Sequence, residues 1–103
     1  MSETSSSTNT LQYPHPDTLQ SAVKLAIIQD KPILMDYYQA SLNKTDNCVL
    51  IGVRENKERL LVKSEEEYTS LISNVYKCKT EYIIVTENSI YIVSNSIPTK
   101  KIS

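Results

Sequence analysis

The sequence predicts a small α+β domain, in which a twisted antiparallel β-sheet or open barrel built from hairpins carries one N-terminal amphipathic helix. Residues 53–56 and 85–88 predict the hairpins, because both have the pattern Val-x-Glu-Asn beside strand-like apolar segments. Apolar residues at helical spacing, upstream of these segments, predict the helix. About 85 residues follow a polar leader, which is enough for one modest core. The chain is therefore expected to form one domain.

The leader, residues 1–14, is rich in Ser and Thr and poor in aliphatic side chains. Such a segment buries too little apolar surface to offset the entropy that it loses on ordering. We therefore expect a disordered arm over residues 1–14 and a single α+β domain over residues 15–103.

The segment after the leader has the features of a helix. Asp17 can cap its N-terminus, and Gln20 completes a capping box. Pro32 ends the helix, because proline disfavours helical geometry at the residue before it. The apolar positions at helical spacing are Leu19, Ala22, Val23, Ala26 and Ile27. These features predict an amphipathic helix over residues 18–29, packed against the sheet, and then an alternating strand over residues 33–38.

Residues 48–54 and 59–63 are predicted to form the first hairpin. The residues expected to share one face are Val49, Ile51, Val53, Leu60 and Val62. A two-residue slip in pairing preserves this assignment, whereas a three-residue loop or a bulge would overturn it. Gly52 is the only glycine in the chain and falls in mid-strand, which indicates a bulge or a close backbone approach.

Residues 64–72 allow two interpretations. Ser64 and Glu67 fit a capping box, and the apolar residues after them have helical spacing, which predicts a short helix. The same segment also fits an acidic turn that leads to an edge strand over residues 75–78. The three consecutive carboxylates of residues 65–67 are typical of a solvated helix start, because acid–base catalysis needs carboxylates in differing environments.

The second hairpin is predicted to close on a two-residue loop, Glu87 and Asn88, so that Thr86 faces Ser89. One face is expected to form the main core with the first hairpin and carries Ile83, Val85, Ile90 and Ile92. The other face is predicted to bind a protein partner and carries Tyr82, Ile84, Tyr91 and Val93. An uncovered apolar face is typical of an interaction surface. The alternative is that the helix of residues 18–29 covers this second face.

The composition argues against catalysis, metals and cofactors. With one glycine there is no phosphate-binding loop, and the only histidine, His15, is assigned to the flexible leader. Cys48 and Cys78 are too few and too far apart for a zinc site, and cytosolic thiols are expected to stay reduced. We therefore expect no enzyme activity, no metal and no cofactor.

Charge and hydropathy limit the partners. The net charge of −1 gives no electrostatic reason to bind nucleic acid or an anionic membrane. No apolar run approaches the roughly 20 residues that span a bilayer. The first residues lack the basic start and apolar stretch of a secretory signal. We therefore expect a protein that is not secreted and has no membrane span.

Four segments resemble a small module of proteins encoded by nucleocytoplasmic large DNA viruses: DKPILMDYYQASL, CVLIGVREN, ERLLVKSEEEYTS and TEYIIVTENSIYIVS. The similarity covers about residues 20–102. It implies a viral protein of the host cytoplasm or the virion, with a non-enzymatic structural or accessory role such as a minor capsid component. The shared motifs are fold-like rather than catalytic, so the resemblance assigns no site residues.

The interpretation favoured by these features is a protein–protein interaction module that binds a protein partner or a second copy of itself. The alternative is a small barrel that binds single-stranded nucleic acid, with Tyr82 and Tyr91 as stacking platforms. Its phosphate contacts would be Lys77, Lys79, Lys100 and Lys101. The net negative charge counts against this alternative.

Overall fold

A computed structural model describes residues 12–42 and 49–102 of the chain. In chain order the elements are α1 (Pro16–Gln29), β1 (Ile33–Leu34), α2 (Tyr38–Ser41), β2 (Leu50–Val53), β3 (Arg59–Val62), β4 (Tyr68–Cys78), β5 (Glu81–Thr86), β6 (Ile90–Ser94) and β7 (Thr99–Lys101). The strands form one seven-stranded sheet in the order β1-β6-β5-β4-β3-β2-β7.

The sheet is mixed and open, and the fold is compatible with the predicted α+β class. The two edge strands pair in parallel, β1 with β6 and β7 with β2, while every other neighbouring pair is antiparallel. The expectation of a purely antiparallel sheet is therefore wrong at both edges. Only local hairpins were expected, whereas the parallel edge pairs join segments that are distant in sequence.

The second hairpin has the predicted register. Val85 lies opposite Ile90 and Ile83 opposite Ile92, with Glu87 and Asn88 forming the two-residue loop. The Thr86 amide donates to the Ser89 carbonyl at 2.8 Å, and the Thr86 hydroxyl accepts from the Ser89 amide at 3.1 Å. The side chain of Thr86 thus stabilises a turn that contains no glycine.

The first hairpin has a different register from the one predicted. Its loop has three residues between the paired Arg54 and Glu58, whose backbones bond at 2.8 Å. Lys57 adopts the left-handed conformation in this loop, with φ 72°. Ile51 consequently lies opposite Leu61, and the predicted grouping of Ile51 with Leu60 and Val62 is wrong. An odd loop length exchanges the two faces of one strand relative to the other.

The segment after β3 is a turn and a strand, so the helix predicted over residues 64–72 is wrong. The Ser64 hydroxyl accepts from the amides of Glu66 and Glu67, as an N-cap would. Lys63 also donates its amide to the Glu67 carbonyl at 2.9 Å, which closes a tight turn. The following strand, β4, is central, because it pairs with β3 through its first half and with β5 through its second.

Helix α1 begins two residues before the predicted start, and its cap is His15 rather than Asp17. The His15 Nδ1 accepts from the Asp17 amide at 3.0 Å, and Pro16 occupies the first helical position. The helix ends at Asp30, which has the left-handed conformation. Residues 1–11 of the predicted arm lie outside the described residues. Pro14, assigned to that arm, is buried, so the described domain extends upstream of residue 15.

The predicted strand over residues 33–38 is reduced to Ile33–Leu34, which pairs with β6. The chain then turns into the one-turn helix α2, which the sequence did not predict. Tyr37 and Tyr38 are both buried, and they belong to separate apolar clusters. This segment therefore contributes to packing on both faces of the sheet.

Two apolar clusters form the core. The first lies between α1 and the sheet and contains Ala22, Tyr38, Ile83, Val85, Ile90 and Ile92. The second contains Tyr37, Val49, Ile51, Leu61, Ile84, Tyr91, Val93 and Ile97. The prediction that Ile83 and its neighbours pack with the first hairpin is therefore wrong. The first hairpin instead packs in the second cluster, which contains the other face of β5 and β6.

Candidate interaction surface and cavity

The four residues predicted to bind a partner lie on one face of β5 and β6, as their alternation requires. Ile84 and Val93 are fully buried, and Tyr91 is only 9% exposed. Tyr82 is half-buried and packs against the same cluster. Their burial removes the basis for the predicted partner-binding patch. The face is covered by cluster residues from other segments, including Tyr37, and not by α1.

Tyr37 is the aromatic side chain that covers Tyr91. Their ring centroids are 5.2 Å apart, with an interplanar angle of 58°. Burial, together with the negative charge of Glu67, raises the pKa of Tyr37 to about 12. The Lys63 ammonium lies 5.6 Å from the Tyr37 ring centroid. A tilted aromatic pair of this kind is a packing contact.

The same geometry weakens the nucleic-acid alternative. Tyr91 is enclosed by its neighbours and presents no free ring face for a base. Lys79 bonds to the Asp17 carboxylate at 3.4 Å. Lys77 lies on β4 and Lys100 on β7, with β3 and β2 between those strands. The predicted set is therefore only partly brought together, because Lys77 lies opposite Tyr82 across β4 and β5 whereas Lys100 lies three strands away.

The exposed apolar surface lies on α1 instead. Leu19, Val23 and Ile27 are 36%, 48% and 75% exposed, and they follow one another at intervals of four residues. Residues four apart lie above one another on a helix, so these three form a line, which we call the outer stripe. Sequence analysis assigned them to the sheet-facing side. The sheet instead contacts Ala22, Leu25 and Ala26.

The sheet-facing side of α1 was predicted wrongly because the helix is apolar over more than one face. Helix α1 carries more apolar residues than one face can hold, and the small side chains Thr18 and Ala22 lie against the sheet. Small residues allow close packing, which leaves the larger residues Leu19, Val23 and Ile27 facing outward. Ile28 is also 77% exposed, but it lies about 100° around the helix from Ile27 and so is not part of the outer stripe.

A second feature is a cavity of about 410 Å³ beside the N-terminal end of α1. Its lining includes Glu81, Tyr38, His15, Asn95 and Ser96. Glu81 begins β5, and the residue is 5% exposed. The Glu81 Oε1 accepts from the Thr18 hydroxyl at 2.7 Å and from the His15 amide at 3.4 Å. Its Oε2 accepts from the Thr80 hydroxyl at 2.9 Å.

Tyr38 forms another wall of the cavity and is 4% exposed. Burial, and secondarily the negative charge of Glu81, raises the pKa of Tyr38. The sequence contains a signal for this site, because alternation along β5 places Glu81 on the same face as Ile83 and Val85. A carboxylate on a core-facing strand position is a signal that the sequence analysis did not use.

Other site types are not found in the described parts of the chain. Within residues 12–42 and 49–102, no three acidic, His or Cys side chains are grouped to hold a metal ion. No helix in these ranges is long and apolar enough to cross a membrane. Cys78 is a free, half-buried thiol, while Cys48 lies outside the described residues.

The fold and these two features define a small α+β domain with an exposed helical stripe and a polar cavity. The chain matches no known protein family, no curated protein and no solved structure.

Proposed function

We propose that this domain is a non-enzymatic protein–protein interaction module that docks through the outer stripe of α1. The observation that carries the proposal is the exposure of Leu19, Val23 and Ile27 on a helix whose adjoining side already packs on the sheet. A helix whose apolar surface is wider than its contact with one neighbour is typical of one that has a second neighbour. Contiguous exposed apolar surface is characteristic of an interaction site.

A second copy of the chain is the partner that fits the stripe best. Val23 is central, with Leu19 four residues before it and Ile27 four residues after it. An antiparallel two-fold pairing therefore places Val23 against its own copy and Leu19 against Ile27 of the other copy. Rows spaced by four residues are also those that interlock in the commonest class of helix packing.

The proposed dimer is weak. Stable complexes bury about 800 Å² on each partner, and a stripe of three side chains supplies much less than that. We expect association in the micromolar range or weaker, so the monomer and dimer exchange with concentration.

Sedimentation equilibrium tests the proposal with two matched variants. Ile27→Lys places a charge in the outer stripe, whereas Ile28→Lys makes the same change at the next residue, which is equally exposed but outside the stripe. We expect the wild type and Ile28→Lys to show concentration-dependent dimerisation and Ile27→Lys to remain monomeric. Circular dichroism checks that both variants keep their fold.

Two outcomes contradict this assignment. Equal weakening by Ile27→Lys and Ile28→Lys means that the stripe has no special role. A wild type that stays monomeric at the highest accessible concentration excludes the second copy as the partner.

The narrower proposal is that the module belongs to a virus-encoded structural or accessory protein, such as a minor capsid component, in the virion or host cytoplasm. Its support is the resemblance of residues 20–102 to a module of nucleocytoplasmic large DNA viruses. Mass spectrometry of purified particles and infected-cell cytoplasm tests it. Recovery in particles supports a virion component, recovery only in cytoplasm supports an accessory protein, and recovery in neither contradicts both.

A further inference from the structure

We propose that the cavity between Glu81 and Tyr38 binds a primary ammonium group. Glu81 is a carboxylate with 5% exposure. Among the described residues, no Lys, Arg or His side chain forms an ion pair with it within 4.0 Å. Buried carboxylates are ordinarily paired with a positive charge, and a bound cation would supply one here.

The neighbouring basic groups do not fill this role. Lys79 is the nearest lysine in sequence, and its ammonium bonds to Asp17 at 3.4 Å. His15 lines the cavity, but its Nδ1 accepts a hydrogen bond from the Asp17 amide. The Glu81 carboxylate therefore has no cationic side-chain partner among the described residues.

The Glu81 carboxylate also retains hydrogen-bonding capacity. A carboxylate offers about four acceptor positions. Three are used by the described donors: the Thr18 hydroxyl and the His15 amide at Oε1, and the Thr80 hydroxyl at Oε2. One acceptor position on Oε2 remains for a ligand.

Tyr38 provides an independent indication of a ligand. Its side chain is 4% exposed and lines the cavity, and its hydroxyl has no hydrogen-bond partner among the described residues. A buried phenol is usually hydrogen-bonded, so an unpaired one at a cavity wall points to a missing partner.

A primary ammonium group matches the acceptors around the cavity. It has three donor hydrogens, and the cavity lining includes Glu81, Tyr38 and Asn95, whose side chains carry a carboxylate, a hydroxyl and an amide oxygen. The Asn95 amide nitrogen already donates to the Lys79 carbonyl at 3.4 Å, which leaves its oxygen directed elsewhere. The cavity, of about 410 Å³, is within the size range of small-ligand sites.

The site is independent of the proposed dimer, because no residue of the outer stripe lines the cavity. The ammonium group has two possible sources, a free amine and the N-terminus of a peptide. n-Butylammonium represents the first source. Alanyl-alanine amide represents the second, and its N-acetylated form is the uncharged control.

Chemical-shift titration of the full chain tests the assignment. We expect saturable shifts at residues around Glu81 with n-butylammonium, and at least about tenfold weaker binding of n-butanol, because charge-assisted hydrogen bonds are the strong ones. Tighter binding of alanyl-alanine amide than of n-butylammonium identifies a peptide N-terminus as the preferred source. The reverse order identifies a free amine.

Three variants connect binding to the cavity. Glu81→Gln removes the charge and keeps an acceptor for Thr18, and we expect it to weaken n-butylammonium binding by about tenfold or more. Tyr38→Phe removes only the hydroxyl and is expected to weaken it severalfold. Glu87→Gln makes the same change as the first variant on an exposed loop and serves as the control.

The proposal is overturned if n-butylammonium binds no better than n-butanol. It is also overturned if a folded Tyr38→Phe variant binds n-butylammonium as tightly as the wild type and the control Glu87→Gln do. This outcome can be read even where Glu81→Gln fails to fold. Loss of dimerisation in Ile27→Lys leaves this result unaffected, so the two proposals fail separately.

Discussion

The hydroxyl of Thr18 lies 2.7 Å from the carboxylate of Glu81, and this hydrogen bond joins the first turn of α1 to the start of β5. Both residues are buried, so the bond is shielded from water. The Thr18 hydroxyl is also 3.2 Å from the Cys78 carbonyl, at the end of β4. One side chain therefore positions the helix relative to two neighbouring strands.

Thr18→Val is expected to destabilise the domain by about 1 to 3 kcal/mol, because the isosteric change leaves Glu81 with one donor fewer in a buried site. Urea unfolding measures the effect. Thr99→Val on the exposed strand β7 is the matched control and should change stability little. Similar losses in both variants would show that the Thr18 hydroxyl contributes nothing specific.

Ile83→Ala is expected to cost about 2 to 5 kcal/mol of stability, because Ile83 is enclosed between α1 and the sheet. Ile28→Ala, on the outside of α1, should change the free energy of unfolding by less than about 0.5 kcal/mol. Thermal unfolding at low protein concentration distinguishes the two. A melting temperature for Ile83→Ala within a couple of degrees of wild type would contradict the assigned core.

Gly52→Ala is expected to destabilise the protein by about 1 to 3 kcal/mol, because of a steric conflict with Ile102. A Cβ atom at residue 52 would lie 2.7 Å from the Ile102 Cδ1 and 3.1 Å from the Val62 Cγ2. Ile102→Ala removes the closest atom. We therefore expect Gly52→Ala to cost less in the Ile102→Ala background, as measured by a double-mutant cycle. Equal costs in both backgrounds would show that the two positions are not coupled.

The buried Tyr37 is expected to make stability fall in alkali. Its pKa is raised from 10.0 to about 12, so the unfolded chain loses this proton before the folded one does. The contribution is fully present below pH 10 and is lost as the pH rises toward 12, at about 1 kcal/mol per pH unit. Tyr37→Phe removes this titration, so its stability should decline less steeply over the same range. Parallel alkaline decline in both proteins would contradict the assignment.

The two hairpins show which registers local sequence determines. In the second, Thr86 supplies both backbone and side-chain bonds to Ser89, and strand alternation correctly predicts the loop and its faces. In the first, the related turn sequence contains Lys57 in the left-handed conformation, and the loop is one residue longer. A lysine gives no local signal for that conformation, since glycine or asparagine usually occupies it.

Gly52 and strand β7 likewise show what local sequence predicts and what depends on distant segments. The single mid-strand glycine predicted a bulge or a close backbone approach, whereas the group that lies against it is a side chain. The identity of that group, Ile102, depends on the parallel pairing of β7 with β2, which joins the two ends of a long sequence interval. Sequence analysis considered this segment only for Lys100 and Lys101, as phosphate contacts of the nucleic-acid alternative.

The sequence by itself determined the position of the main helical and strand-forming segments and the register of the second hairpin. These depend on periodicity and turn chemistry, which are local properties. Tertiary structure alone decided which face of α1 meets the sheet, what covers Tyr91, and which groups surround Glu81. The local sequence of each of these elements is compatible with more than one environment. Contacts made by segments that are distant in sequence decide which environment each element has.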